Sequence, residues 1–377
     1  MDYTRSKCII NMKIYTSNPK QNNLSKKKIL SKLFNNFINK GEYILANETK
    51  KFEYNFAKYI GTKYCIGVAN GTDAIKIVLK SLKIKKGDEV IVSSHTANAT
   101  IVGIEESGGT PVLIDIEKDY YTSNFESFKK MITQKTKAVV LVHIFGQTCD
   151  MVPFINYCKS KKIYLIEDVA QAHGAKFKNM MLGSIGIAGC FSFYPTKNLA
   201  ALGDGGAITT NSKLLANRIL KVRQYGWDKN RNINIIKGTN SRLDELQSYF
   251  LNIKLSFLDI ENKKRNKIAT TYNKFLTDKI IKPKIRPQSY HVFHIYCIEV
   301  KNRTELLKFL EKNNIFLSRH YDKVIFKNKL YKNLKKDKKL INIFELYKYN
   351  LSLPIYPELS WSDQMRVIKN INKFYND

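Results

Sequence analysis

Between residues 65 and 195 short apolar runs alternate with amphipathic segments. CIGVAN (65–70) precedes GTDAIKIVLKSLKI, and DEVIVSS (88–94) precedes HTANATIVGIEESG. DMVPFINYCKSKK separates KAVVLVHIFG from KKIYLIEDVA, and PVLIDI and GCFSFYP complete the set. Val- and Ile-rich runs that alternate with helical segments are the pattern of parallel strands covered by helices on both faces. The chain is therefore expected to be α/β, with a large, mostly parallel open sheet over roughly residues 60–215.

The flanking texture differs. LSKKKILSKLFNNFINKG (24–41) and KFEYNFAKYIGTKY have helical spacing, each with a glycine at or near its end. Beyond about residue 260, ELLKFLEKNNI reads as a helix, YHVFHIYCIEV (290–300) as an alternating strand, and LSLPIYPELSWSDQMRVIKNINKFY as a loop leading into a closing helix. The basic run FKNKLYKNLKKDKKL (326–340) reads as a solvated loop or helix face. The expected organisation is an N-terminal extension at 1–23, a large domain at 24–260 and a smaller α+β domain at 261–377. Met12 is an alternative start.

Of 64 Lys and Arg only ten are Arg, and the net charge is +32. The lysines are scattered along the chain without a helix-turn-helix, RRM or zinc-finger pattern, so nucleic acid is not the expected partner. A positive surface does attract an anionic substrate. Six cysteines (8, 65, 149, 158, 190, 297) form no CxxC pair and no metal-ligand spacing. Cys65 and Cys190 sit in strand-like runs as small hydrophobes. No apolar stretch approaches the ~20 residues of a membrane helix, and the N-terminus has no secretory apolar core. The expectation is a cytoplasmic protein with no metal site and no membrane segment.

In an open parallel sheet, ligands bind beyond the C-terminal ends of the strands. The residues there are Gly71-Thr72 after CIGVAN, His95-Thr96 after DEVIVSS, Asp168, Gln171 and His173 at the end of KKIYLIED, and Tyr194, Thr196 and Lys197 after GCFSF. Asn70-Gly71-Thr72 at a helix start offers amides and a hydroxyl to a phosphate, and by itself is also an ordinary N-cap. GxxxxGK[ST] is absent, and no GxGxxG follows the first strand. Asp168 alone reads equally as a cap. Paired with Lys197, 29 residues later at the end of the next strand, it suits pyridoxal phosphate. A lysine forms a Schiff base with that cofactor's aldehyde, and a carboxylate keeps its ring nitrogen protonated.

The pieces VANGTDAI, GDEVIVSSHTANAT, TKAVVLVHIFGQTCDM, IEDVAQAHGA, FSFYPTKNLAALGDGGAITTN and GTNSRLDELQ occur in this order. Together with LSLPIYPELS they resemble the DegT/DnrJ/EryC1/StrS family of pyridoxal-phosphate-dependent sugar aminotransferases. The resemblance implies a fold-type I transferase. It makes Lys197 the Schiff-base lysine and proton carrier, and Asp168 the partner of the pyridinium nitrogen. Gln171 would lie near the ring hydroxyl. Ser192, Gly71 and Thr72 would bind the phosphate, with Asn240 reaching in from the partner subunit of a homodimer with shared sites. Many relatives carry an aromatic that stacks on the ring where this chain has Ala97, which leaves His95 as a candidate cover.

SHTANAT, YGWD, NSRLDELQ and RHYD (319–322) look most like the branch that aminates C3 of dTDP-3-keto-6-deoxyhexoses for O-antigen or other glycan sugars, with L-glutamate as donor. In that branch Tyr194, His320 and Tyr321 would line the sugar site. Two other readings share the fold: a C4 aminotransferase of a UDP- or dTDP-4-keto sugar, and a pyridoxal-phosphate-binding regulatory protein. A dehydratase of the family would carry His in place of Lys197.

Overall fold

The computed structural model describes residues 13–228, 230 and 233–376. Cys8 and the alternative start Met12 lie outside the described residues. The central sheet has eight strands: β1 Tyr64–Val68, β2 Glu89–Ser93, β3 Thr110–Ile114, β4 Thr136–Val142, β5 Tyr164–Asp168, β6 Ala188–Ser192, β7 Gly206–Thr210 and β8 Lys335–Lys336. Their spatial order is β8-β3-β2-β4-β5-β6-β7-β1. β7 runs antiparallel to β6 and β1, and every other pairing is parallel.

The apolar runs are strands because both of their faces are covered. Ala138, Val140 and Val142 point into one core and Val139 and Leu141 into the other, none more than 5% exposed. Each buried Val or Leu contributes about 1.5–3 kcal/mol relative to exposure. Six of these strands match the expected runs. β7, GAITT, is a finding of the structure: it directly follows GDGG, whose glycines conceal it among turn signals.

Helix Gly71–Ser81 follows β1 and starts at Asn70, whose side chain accepts the Asp73 N–H at 2.8 Å. Helix Asn98–Ser107 follows β2. Its start is three residues later than HTANAT suggested, because Ser93 Oγ accepts the His95 N–H and the chain stays extended through Ala97. Helix Asn47–Ile60 has no side-chain cap of its own. Instead Glu245 accepts the N–H groups of Ala46, Glu48 and Thr49 at 2.7–3.0 Å.

In the C-terminal part, Tyr296–Glu299 pairs antiparallel with Asn350–Leu353, so the run expected to open as a loop opens as a strand. The run 290–300 is not one strand. Phe293 takes φ 44°, and Val292 and Ile295 donate to the carbonyls of Gly146 and Phe145, just after β4 of the large sheet. Helices Arg303–Lys312 and Trp361–Asn376 close a separate core around Tyr272, Tyr296, Leu306, Leu351 and Val367. Ile14–Tyr15 pairs in parallel with Ile315–Phe316, which brings the N-terminal segment to this core. The 31-residue helix Glu245–Phe275 runs unbroken through residue 260 and joins the two parts. The basic run 326–340 is only partly solvated, since β8 lies within it at the sheet edge. No described helix is long and apolar enough to cross a membrane.

Candidate active site

A cleft of about 240 Å³ opens at the C-terminal ends of β1, β2, β5 and β6. Each strand end delivers two or three residues to it: Gly71 and Thr72 from β1, Ala97 and Thr100 from β2, Asp168 and Gln171 from β5, and Ser192, Tyr194 and Lys197 from β6.

Lys197 sits in a turn whose N–H donates to the Tyr194 carbonyl at 2.9 Å. Burial lowers its pKa to about 8, opposed by the attraction of Asp168. About a tenth of its amine is therefore unprotonated at pH 7, against well under a thousandth for an ordinary lysine. Asp168 is buried at the end of β5. Burial pushes its carboxyl up, while the Ala170 N–H (3.1 Å), the Thr100 hydroxyl (2.9 Å) and the Lys197 ammonium favour the ionised form. Its neighbour Glu167 faces the opposite side of the strand, where it accepts the N–H groups of Gly183, Ile185 and Gly186 and contacts His143. Successive strand residues point to opposite faces, which gives the two adjacent carboxylates separate tasks.

Gln171 accepts the Phe145 N–H at 2.8 Å and donates to the Tyr321 hydroxyl at 2.9 Å. Tyr321 is thereby held just behind the cleft rather than lining it. His320 stands beside it, with Nδ1 2.9 Å from Ser352 Oγ. Burial and the Lys197 charge lower the His320 pKa to about 4. Tyr194 is 53% exposed at the mouth.

His95 does not reach the cleft. It is fully buried, and its two ring nitrogens lie 3.2 and 3.3 Å from the carbonyls of Tyr121 and His320. Burial lowers its pKa to about 4, so the ring is neutral and donates to one of the two carbonyls. It packs edge-on against Phe145 and is not placed to cover a cofactor ring. Asn240 is exposed in a bridge to Gln224 and is also outside this cleft. Thr100, which orients Asp168, was not singled out in the sequence. The only signal was Thr96 and Thr100 four apart at the start of a helix, where their hydroxyls meet at 2.7 Å.

The residues present fit pyridoxal phosphate. The amine of Lys197 and the carboxylate of Asp168 share one cleft. Opposite them, Gly71 begins a helix and lies so close to Ser192 that a Cβ there would stand 2.7 Å from the serine Cβ. The Gly71 and Thr72 amides belong to a first turn that has no intrahelical acceptor, beside the Ser192 hydroxyl, as an anion requires. Gly206 makes a similar approach: a Cβ would meet the Asn70 backbone at 2.5 Å. Among the described residues no cluster of three or more His, Cys, Asp or Glu could hold a metal ion.

Sheet order and cleft together define a fold-type I, pyridoxal-phosphate-dependent transferase. The DegT/DnrJ/EryC1/StrS aminotransferase family matches over residues 25–372, and the chain belongs to it. It is 41% identical to the dTDP-3-amino-3,6-dideoxy-alpha-D-galactopyranose transaminase of Aneurinibacillus thermoaerophilus, over 94% of this chain and 98% of that one. It is 36% identical to a pleiotropic regulatory protein of Geobacillus stearothermophilus, over 92% and 94%. The crystal structure of S. venezuelae DesV in complex with a ketimine intermediate superposes with a TM-score of 0.94 at 32% identity, covering 97% of this chain and all of that one. The protein is a sugar aminotransferase that uses pyridoxal phosphate.

Proposed function

We propose that the protein transfers the amino group of L-glutamate to the C3 keto group of a dTDP-linked 3-keto-6-deoxyhexose. The observation that carries this reading is the 41% identity, over nearly the full length of both chains, to a transaminase named for a dTDP-3-amino-3,6-dideoxyhexose. Small Ala97 in the cleft and the Tyr194 hydroxyl at its mouth are consistent with a bulky sugar entering over the cofactor. Lys197, Asp168 and Gln171 are together in one site, which favours turnover over a purely regulatory role.

Bound in the cleft, pyridoxal phosphate supplies the carbonyl that accepts the amino group and the ring that takes up electrons. The chain supplies the rest. The Gly71 and Thr72 amides and the Ser192 hydroxyl hold the phosphate. Asp168, oriented by Thr100 and the Ala170 N–H, holds a proton at the ring nitrogen. Lys197 would form the covalent link to the cofactor, and its amine would carry the proton between cofactor and substrate carbons. Its lowered pKa, about 8, lets it act as both acid and base near neutral pH.

The working unit is a homodimer with composite sites. Asn240 is exposed, and the segment after it is flanked by exposed apolar side chains. Tyr43 and Ile44 (52 and 50% exposed) bond to Glu245 and Asp244, and Leu202 (41%) bonds to Gln247. Such a patch is suited to a second copy of the chain, with Asn240 reaching the partner's phosphate site. The five described cysteines are buried and unpaired, which suits the cytoplasm.

The test is NMR of the products formed from 3-keto and 4-keto dTDP- and UDP-sugars with glutamate. The expected product carries nitrogen at C3 of the dTDP sugar. Nitrogen at C4, or no reaction with any 3-keto substrate, would overturn the regiochemistry and leave the aminotransferase class standing.

A further inference from the structure

Three polar side chains of the helix Glu245–Phe275 reach the loop that carries Lys197. Gln247 accepts the Leu202 N–H at 2.8 Å. Lys254 Nζ donates to the Ala200 carbonyl at 2.9 Å. Asn262 accepts from the Asn198 side chain at 2.9 Å. Residues 247, 254 and 262 are seven and eight apart, two turns each time, so they lie on one helix face. The three anchors bind the loop at alternate residues immediately after Lys197. The Asn198 side chain also donates to the Val292 carbonyl, and the Ala201 N–H donates to that of Phe193, so the loop after Lys197 is tied to the sheet as well as to the helix.

The middle anchor is the unusual one. Lys254 is 5% exposed, which is rare for a lysine. Its ammonium bridges two otherwise distant pieces, Ala200 and the side chain of Asn23, the latter at 2.6 Å. Asn23 lies in the last turn of the short helix Pro19–Leu24, which is tied to the same place by ion pairing of Lys26 with Glu261. Nothing in phosphate binding or substrate recognition calls for a cation here, since Lys254 does not line the cleft.

We propose that this helix face sets the position of Lys197, and that Lys254 is the positioning residue at its centre, coupling the N-terminal segment to the loop of the reacting lysine. The inference rests on the reading of Lys197 as the cofactor lysine. Fixing the loop at three points holds the amine in line with the cofactor without the helix itself touching the reacting atoms, and small displacements of a reacting group are costly in rate. Burial together with the nearby Lys26 charge lowers the Lys254 pKa to about 8, which accords with its desolvated place. Without the Lys254 charge, Lys26 and Arg265 still face Glu261 and Glu358, two cations against two carboxylates, so Lys254→Met leaves the surrounding charges balanced.

The experiment compares wild type, Lys254→Met and Asn23→Ala, each saturated with pyridoxal phosphate. It measures amide exchange by mass spectrometry together with kcat and KM. In Lys254→Met, exchange at residues 198–202 is expected to speed up by about 5–10-fold, the equivalent of one lost hydrogen bond. The rest of the chain should stay unchanged, kcat should fall by a similar factor and KM should hold. Asn23→Ala should shift both quantities in the same direction by less, and it keeps the test open if Lys254→Met does not fold. Unchanged exchange at 198–202, or faster exchange spread over the whole chain, would overturn the positioning role. Faster local exchange with unchanged kcat would also overturn it, by showing that loop geometry does not limit the reaction. The exchange measurement is independent of substrate, so a wrong substrate assignment cannot be mistaken for failure here.

Discussion

The Thr100 hydroxyl donates to Asp168 Oδ2 at 2.9 Å, so the carboxylate at the end of β5 is oriented by the helix that follows β2. Two strand ends that are not neighbours in the sheet thereby cooperate on one charge. The other Asp168 oxygen takes the Ala170 N–H, leaving lone pairs on both oxygens for a ring N–H from the cleft.

Thr100→Val keeps the shape of the side chain and removes this donor. Because the hydroxyl favours the ionised carboxylate, its loss should raise the Asp168 pKa. The acid limb of kcat/KM should move to higher pH, with a loss of about 5–10-fold at neutral pH for one hydrogen bond. Asp168→Asn should fold and lose more, about 10–150-fold, because a neutral amide cannot hold the ring proton against solvent. A Thr100→Val profile that overlays wild type would show that the hydroxyl only fills space.

Lys197→Ala should retain the fold by circular dichroism. It should lose covalent cofactor attachment, measured by mass after borohydride, and at least ~100-fold in turnover. In the wild-type protein freed of cofactor, acylation of Lys197 should follow the unprotonated amine. It should rise with pH to half its maximum near 8, where an ordinary lysine would need about 10.5. The direction follows from burial: desolvation disfavours the ammonium, so the proton leaves earlier. A midpoint above 10 would remove the argument that the cleft desolvates this lysine.

The strands and most of the cleft could be read from the sequence because their causes are local. A run such as KAVVLV is apolar on both faces whatever surrounds it, and the residue just past its end has few places to go. Asp168, Gln171, Tyr194 and Lys197 stand at strand ends in this way, whereas Ser192 came from the family resemblance. What escaped depends on contacts between distant segments. Thr100 matters only because its helix crosses in front of β5. Glu245 caps a helix that begins 198 residues earlier, at Asn47. Position in the motif suggested His95 for the cleft, but the bend at Ser93–Thr96 turns it into the core beneath Tyr321. β7 was obscured by the glycines of GDGG that lead into it, and the 290–300 run by the turn at Phe293 that docks it on Gly146.

Gly71→Ala should weaken cofactor retention more than it weakens the fold. The new methyl would stand 2.7 Å from Ser192 Cβ, so the helix start or the serine must shift, and both belong to the phosphate end of the cleft. Overpacking of this kind costs about 1–3 kcal/mol. If half or more of that falls on the bound state, the Kd for pyridoxal phosphate rises by about 2–150-fold. Titration of the cofactor-free variant, followed by absorbance and checked against Tm, separates the two. Unchanged affinity would place the phosphate elsewhere.

The last expectation concerns the second copy of the chain. If Asn240 completes the partner's phosphate site, then Lys197→Ala and Asn240→Ala damage different halves of each composite site. Mixed and refolded together, the two inactive variants form heterodimers in which one site carries both lesions and the other carries neither. At equal concentrations half of the dimers are heterodimers, so activity should return to about one quarter of wild type. Titrating one variant against the other should give a maximum at equal amounts. Native mass spectrometry should show a dimer under the same conditions. A monomer in solution, or a mixture no more active than its components, would mean that each subunit builds its site alone and that the exposed Tyr43, Ile44 and Leu202 cover something other than a second copy.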